Sequence, residues 1–463
     1  MDFTPEGRRI HMVGIGGAGM SSMALHLKER GAMVTGFDDK GSSVLKELES
    51  RGIRIFNDRA SRRGVPSDTE FLVHTAAVSD EDPHLVSARR RGVEVVKYAG
   101  MLERLMSPYT GIAVAGTHGK TSVSALCAWL LKAAGKSPSY VIGGYVEDLK
   151  GGGGAGRGEY FVVEACEFDR SFLKLRPDWA VITNLEPDHL DYFGSFDSLR
   201  SAFEEFIEGL AGRKGRLIIW DETVETLNPR RFEGLETWTY GFGDGADLRV
   251  ADFGHEDGCA HFSLVHHGEA LGRFMLRTPG RHNVLNAAAA SMVALKLGIR
   301  LERLQAALGS FHGVMRRLED RGTFGKVRVF SDYAHHPTEV RAVLETLRNL
   351  YPTSRLVVAY QGHQLWRTNF FMKEFVRTFA GFDLALFLKT FSVREKETKH
   401  LPDGEVLAAE VEKAGGRAVY IGDLERAPTS MLSHIREGDL LVLMGAGNID
   451  ELSGKITQAL SRH

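Results

Sequence analysis

Residues 112–122 read Ile112-Ala113-Val114-Ala115-Gly116-Thr117-His118-Gly119-Lys120-Thr121-Ser122. The apolar start has the composition of a buried strand, and Ala125, Leu126, Trp129 and Leu130 recur at helical spacing after it. Two glycines frame a tight turn between them, and a Lys-Thr pair opens the helix. That layout suits a phosphate: backbone N–H groups and the helix N-terminus face the anion, Lys120 reaches the terminal phosphates, and the Thr121 hydroxyl is placed to ligate Mg²⁺. Gly116, Thr117, His118, Gly119, Lys120, Thr121 and Ser122 are therefore candidate nucleotide-phosphate residues. The usual first glycine of such a loop falls at Val114, so this is a shortened variant. A glycine-rich strand-to-helix turn with no ligand would use the same flanking elements.

The length of 463 residues corresponds to about three domains. With 43% apolar and 25% charged residues, each has an ordinary globular core. A net charge of −2 argues against a general nucleic-acid or membrane-surface binder, so any phosphate site must be local. Cys127, Cys166 and Cys259 lie far apart, which indicates neither a disulfide framework nor a zinc site. The start, Met1-Asp2-Phe3-Thr4-Pro5, lacks a signal peptide's basic and apolar regions, and no apolar run approaches membrane-spanning length. These features point to the cytoplasm.

Upstream of the phosphate loop, Ile10 to Val13 reads as a strand running into Gly14, Gly16, Gly17 and Gly19, followed by a helix through Met23, Leu25 and Leu27. A second strand, Met33 to Phe37, ends at Asp38, about where a ribose-binding acid sits in a dinucleotide fold. Taken alone, these glycines suit a nicotinamide dehydrogenase or mere helix-on-strand packing. The strand at Phe71 ends in the small-residue loop Thr75-Ala76-Ala77, and the two strand ends suit the borders of a nucleotide-diphosphate crevice. The first domain is placed at 1–107.

The central domain, 108–310, begins with the phosphate loop. The glycine run 151–156 reads as a mobile loop. Strands ending at Glu164 and at Thr183-Asn184 would share an edge with the loop, so Glu164 and Thr121 are natural Mg²⁺ ligands. His189 is chemically less expected as a ligand, and taken by itself reads as a hydrogen-bonding histidine more readily than as a metal ligand. Glu167, Asp169, Asp188 and Asp191 are rival carboxylates or solvated, capping residues. Residues 213–277 alternate between short strands and Gly/Asp turns, which reads as a small antiparallel appendage. His282 and Asn286 share a helix face, suited to an adenine edge or simply to a helix terminus. From 311 to 463 a third, mostly parallel α/β unit follows, with polar clusters after strands at Asp332-Tyr333-Ala334-His335-His336 and His363-Gln364-Leu365-Trp366-Arg367.

Taken in order, these motifs resemble the Mur ligases, the ATP-dependent amide-forming enzymes of peptidoglycan precursor synthesis. The resemblance rests on Gly14 to Met20, Gly116 to Thr121, Glu164-Ala165-Cys166-Glu167, Thr183 to Asp191, Pro279 to Asn286, and Asp332 to Glu339, and it covers essentially the whole chain. It implies three α/β domains. These are a Rossmann-like N-terminal domain for the UDP-sugar, a central P-loop ATPase domain with the small antiparallel appendage, and a Rossmann-like C-terminal domain for the amino acid and ligation.

The implied activity is ATP-dependent ligation of L-alanine to UDP-N-acetylmuramate through an acyl phosphate, with ATP and Mg²⁺ as cofactors. The implied protein is a monomer or weak homodimer. Gly14, Gly16, Gly17, Gly19, Met20, Asp38, Thr75 and Ala76 would hold the UDP-sugar, and Lys120 and the loop amides the ATP phosphates. His282 and Asn286 would contact adenine, Asp332 the ribose. Thr121, Glu164 and His189 would carry magnesium. Arg317 would be a phosphate-side arginine, and Tyr333, His335 and Arg367 would face the amino acid, with His335 taking its proton. The chain departs from the family pattern at Cys166, commonly Asp, and at Gln364-Leu365, commonly Arg-Tyr. Glutamine has neither the charge nor the fork of arginine, which leaves Arg367 for the amino acid's carboxylate. Ligands on three domains imply closure, with hinges near 107 and 310. A ligase for a peptide or for folate, and a nucleotide-dependent regulator without turnover, are the alternatives.

Overall fold

The structure, a computed structural model, describes residues 3–39, 41–57, 64–392 and 402–461; Met1-Asp2 of the leading segment lies outside them. It divides into two compact units. The first runs to Gly254 and includes His261–Arg277 and Asn283–His312; the second consists of His255–Ala260, Thr278–His282 and the chain from Gly313 onward.

In the first unit, β1 (Arg9–Val13), β2 (Met33–Phe37), β3 (Arg54–Phe56), β4 (Phe71–His74) and β5 (Glu94–Lys97) form a parallel sheet in the order β3-β2-β1-β4-β5. The chain winds to one side of β1 and then to the other. The change of direction falls between β1 and β4, where a doubly wound sheet opens its crevice.

A second sheet holds β6 (Thr110–Ala115), β7 (Ser139–Val141), β8 (Gly153–Gly154), β9 (Tyr160–Glu164), β10 (Trp179–Ile182), β11 (Arg216–Trp220), β12 (Glu236–Gly241), β13 (Leu248–Glu256), β14 (Cys259–His266) and β15 (Glu269–Leu276). Their order is β15-β14-β13-β12-β11-β10-β6-β9-β7-β8. Strand β6 lies between β9 and β10 in parallel register, with Val114 opposite both Glu164 and Val181. Gly116, Glu164 and Thr183 therefore emerge at one edge.

Two sequence expectations change here. Strands β11 and β12, read with the appendage, run parallel to β10 and continue the main sheet. Leu217, Ile218 and Ile219 are fully buried, as interior parallel strands require. Only β13 to β15 are hairpin-like. They are joined by Asp257-Gly258 and His267-Gly268, and all four turn residues have positive φ, as two-residue primed turns demand.

The glycine run is the second change, because it is not a mobile loop. Gly151–Gly154 are buried, and β8 pairs antiparallel with β7. A Cβ on Gly153 would fall on the Ser22 carbonyl, and one on Gly152 on the Ser22 hydroxyl. The run is glycine so that the helix Ala18–Glu29 can lie directly on backbone. Ser22 Oγ donates to Ile142 O at 2.6 Å, and His26 Nδ1 is 2.9 Å from Gly154 O. A single hydrophobic cluster runs from Ile10 and Met23 to Phe161 and Phe203. Residues on both sides of 107 fall in the first compact unit, and the chain from Gly313 onward in the second.

The second unit is a six-stranded sheet of β16 (Glu319–Phe324), β17 (Val327–Asp332), β18 (Leu356–His363), β19 (Leu384–Phe391), β20 (Ala418–Gly422) and β21 (Leu440–Met444), in the order β16-β17-β21-β18-β19-β20. All pairs are parallel except β16 with β17. Strand β16 gave no sequence signal because Glu319-Asp320-Arg321-Gly322 is a polar edge. The helix Pro337–Leu350 follows β17 and starts with a capping box between His336 and Glu339.

Candidate active site

The phosphate loop turns from β6 into the helix Lys120–Ala133. Gly116 and Gly119 have φ of 136° and 80°, conformations that only glycine adopts without strain. The segment after β10 braces it. Asn184 accepts from His118 N at 2.8 Å and donates to His118 O at 3.1 Å. Thr117 Oγ1 accepts from Glu186 N at 2.9 Å and donates to Glu186 O at 3.1 Å. Thr183 Oγ1 donates to His118 O, and a Cβ on Gly116 would collide with that hydroxyl. This bracing role of Thr183, Asn184 and Thr117 was not visible in the sequence, since it depends on which strand lies beside β6.

Lys120 folds over its own loop. Its ammonium donates to Gly116 O and Thr117 O, and meets Glu167 Oε2 at 2.9 Å and Oε1 at 3.1 Å. Glu167 is 1% exposed. It is thus neither solvated nor a cap, the alternatives to a metal-binding carboxylate that the sequence offered for it, but the buried counter-ion of the loop lysine. Burial alone would lower the Lys120 pKa, yet Glu167, with Cys166 and Glu164, holds it above the ordinary lysine value.

Glu164 ends β9 and accepts from Gly143 N through Oε2 at 2.8 Å; its other oxygen takes no partner among the described residues. His189 sits at φ 51° with its backbone N–H on Asp188 Oδ1 at 2.8 Å. Its ring packs edge-on to Phe168 at 5.2 Å, and its buried Nδ1 has no partner among the described residues. The Thr121 hydroxyl, the Glu164 carboxylate and the orphaned His189 nitrogen are donor types that a hard divalent cation and its bound water accept. Asn286 reaches the same loop: a Cβ on Gly119 would lie 2.5 Å from Asn286 Oδ1.

At the β1–β4 crevice, a Cβ on Gly14 would lie 2.6 Å from Thr75 Cγ2, so the two strand-end loops touch. Asp38 Oδ2 accepts from Gly16 N at 2.9 Å and so organises the glycine turn. Gly19 leaves room for the Tyr98 hydroxyl. Gly17 and Ala76 are exposed on the two loops, whereas Met20 is 3% exposed and belongs to the core.

The second unit gathers His282, Arg317, Asp332, Tyr333, His335 and Arg367. His282 is held near a pKa of about 4, first by burial and then by Arg317. The guanidiniums of Arg316 and Arg317 lie over the Tyr333 ring, 4.8 and 5.0 Å from its centre. Both oxygens of buried Asp332 accept backbone N–H bonds, from Ala334 at 2.7 Å and Leu318. Burial raises the Asp332 carboxyl to about 6. Arg367 is 1% exposed and donates to His363 O at 3.1 Å. The sequence candidates thus separate, with the phosphate, magnesium and UDP-sugar candidates and Asn286 in the first unit and His282, Asp332, Arg317 and the amino-acid candidates in the second.

A braced phosphate loop at the edge of a parallel sheet, preceded by a doubly wound sheet and followed by a second α/β unit, defines a nucleotide-dependent α/β protein of several domains. Family models described as Mur ligase family, catalytic domain, Mur ligase middle domain, and Mur ligase, glutamate ligase domain match residues 9–110, 114–294 and 316–447. A UDP-N-acetylmuramate–L-alanine ligase from Carboxydothermus hydrogenoformans is 36% identical over 96% of each chain. The crystal structure of the UDP-N-acetylmuramate–alanine ligase MurC from Thermotoga maritima superposes with a TM-score of 0.84 at 26% identity, covering 97% of this chain and 98% of that one. A murein peptide ligase from Psychrobacter arcticus shares the fold, with a TM-score of 0.73 at 22% identity over 99% of each chain. The chain belongs to the Mur ligase family, whose members use ATP and Mg²⁺.

Proposed function

We propose that the chain joins L-alanine to UDP-N-acetylmuramate with hydrolysis of ATP to ADP and phosphate. It would act in the cytoplasm as a monomer or weak homodimer. The observation that carries this reading is the braced phosphate loop with Lys120 at its mouth, in a chain similar along its full length to alanine-adding ligases. No helix among the described residues is long and apolar enough to cross a membrane.

The muramate carboxylate attacks the γ-phosphorus, ADP leaves, and the amine of the amino acid attacks the resulting acyl phosphate and expels phosphate. Negative charge builds on phosphoryl oxygens in the first step and on a tetrahedral oxygen in the second. Lys120 and the loop N–H groups would hold the phosphates, and Asn286 and His282 would contact the adenine. Asp332 would contact the ribose, with Arg317 on the phosphate side. Thr121, Glu164 and His189 would hold Mg²⁺, which supplies further charge neutralisation. Gly14, Gly16, Gly17, Gly19, Asp38, Thr75 and Ala76 would line the UDP-sugar crevice. Tyr333, His335 and Arg367 would face the amino acid, with His335 accepting the ammonium proton. Domain boundaries near 107 and 310 would divide these tasks.

The test is ADP release with UDP-N-acetylmuramate and each of L-alanine, glycine, L-serine and an L-alanine-headed peptide. L-Alanine is expected to give the fastest release, and Lys120→Ala to abolish it. Fastest release with the peptide would assign the chain to peptide addition instead. ADP release that needs no sugar acid would remove the proposal.

A further inference from the structure

Glu339 stands at the third position of the helix Pro337–Leu350, and its carboxylate faces the His335 imidazole. Glu339 Oε2 lies 3.2 Å from His335 Nδ1 and accepts the backbone N–H groups of His335 at 3.0 Å and His336 at 3.3 Å. His335 Nδ1 is also 3.1 Å from Tyr333 O. A carbonyl and a carboxylate both accept and neither donates, so Nδ1 carries a hydrogen, and in the neutral imidazole the lone pair is then on Nε2. Groups that face this pair include the Tyr333 ring at 5.5 Å, the His363 ring at 5.8 Å, and Arg317, whose Nη1 is 4.0 Å from Glu339 Oε1; Asp332, His282 and Tyr360 also feel the Glu339 charge. Two backbone donors in the first turn of the helix fix the Glu339 carboxylate in place.

We propose that Glu339 is a positioning residue for His335, fixing its Nδ1–H tautomer so that Nε2 accepts the proton from the incoming amine. This rests on the reading of His335 as the base. One N–H bond of the ammonium breaks, its proton passes to Nε2, and the freed nitrogen lone pair attacks the acyl carbon and expels phosphate. The imidazolium that forms is stabilised by the Glu339 charge through Nδ1–H, and later returns its proton to solvent. The same contacts would serve if Glu339 did nothing but cap its helix, and the two roles differ in charge. A capping box works with glutamine as well as glutamate, whereas orientation and charge stabilisation of an imidazolium need the carboxylate.

Glu339→Gln is therefore the discriminating variant. Its unfolding temperature should match that of the parent and its KM for ATP should hold. Turnover should fall about tenfold, and the acid limb of kcat against pH should move about one unit lower. Without the carboxylate the imidazole protonates less readily, so the neutral base survives to lower pH. In a His335→Gln background the same change should do nothing further to kcat. Imidazole ¹⁵N spectra, with His335 assigned by its loss in His335→Gln, should show the Nδ1–H form in the parent and a mixture in Glu339→Gln. An unmoved acid limb with an unchanged tautomer would reduce Glu339 to a cap and overturn the proposal. Parental turnover in His335→Gln would instead overturn the reading of His335 as base. The spectra separate the two failures, because they report the Glu339 contact whether or not His335 moves protons.

Discussion

Lys120 is surrounded by oxygen: two carbonyls of its own loop and both oxygens of Glu167. A buried ammonium needs that countercharge, and removing one partner of such a pair leaves the other desolvated and unpaired. Glu167→Gln should therefore lower stability by about 3–5 kcal/mol. The phosphates of ATP offer Lys120 a replacement anion, so the rise in unfolding temperature on adding ATP should be larger in the variant than in the parent. Equal rises would contradict the pairing. Asn184→Ala removes both bonds to His118 and should weaken ADP binding by roughly tenfold, measured by calorimetry, with the fold retained. Lys120, Thr121 and the loop glycines were legible because their spacing along the chain is itself the signal. Glu167 and Asn184 were not, since what they touch is decided by which strands flank β6. Asp332 was legible as polar and strand-terminal, but both its oxygens are engaged by local N–H groups that no motif specifies.

Among elements, the seam between the helix Ala18–Glu29 and β7–β8 separates composition from conformation most sharply. Six residues, Gly151 to Gly156, five of them glycine, suggest flexibility, yet packing against Ser22 fixes Gly152 and Gly153. Gly153→Ala has no room for its methyl beside the Ser22 carbonyl and should cost at least about 2 kcal/mol, read as a fall in unfolding midpoint. An unchanged midpoint would mean the helix shifts freely. His26 makes the same seam sensitive to acid. Burial depresses its pKa from the ordinary 6.5 to about 4. A histidine depressed in the folded state contributes stability that is present above 6.5 and lost as pH falls towards 4. That contribution should fall by about 2 kcal/mol between pH 7 and pH 5, and His26→Gln, which keeps a donor for Gly154 O, should flatten the pH dependence. Strand β6, the strands of the second unit other than β16, and the positions of β13 to β15 were readable from apolar runs and turn residues. The parallel pairing of β11 and β12 was not, because pairing partners are set by tertiary contact rather than local pattern.

Across the whole molecule, the residues proposed for nucleotide phosphates and for the UDP-sugar belong to one compact unit, and those proposed for the amine to the other. Under the proposed reaction one carbonyl must meet both sets, so a ligand-driven closure, with hinges proposed near 107 and 310, is the expected conformational step. Small-angle scattering should show a smaller radius of gyration when ATP and UDP-N-acetylmuramate are both present than with neither. The claim on which the account depends is that the sugar acid is activated by taking the γ-phosphoryl group before the amine arrives. UDP-N-acetylmuramate labelled with ¹⁸O in its carboxylate tests this directly. An acyl phosphate leaves one labelled oxygen in each inorganic phosphate released as the amide forms. Inorganic phosphate free of label, at the same rate of product formation, would contradict it.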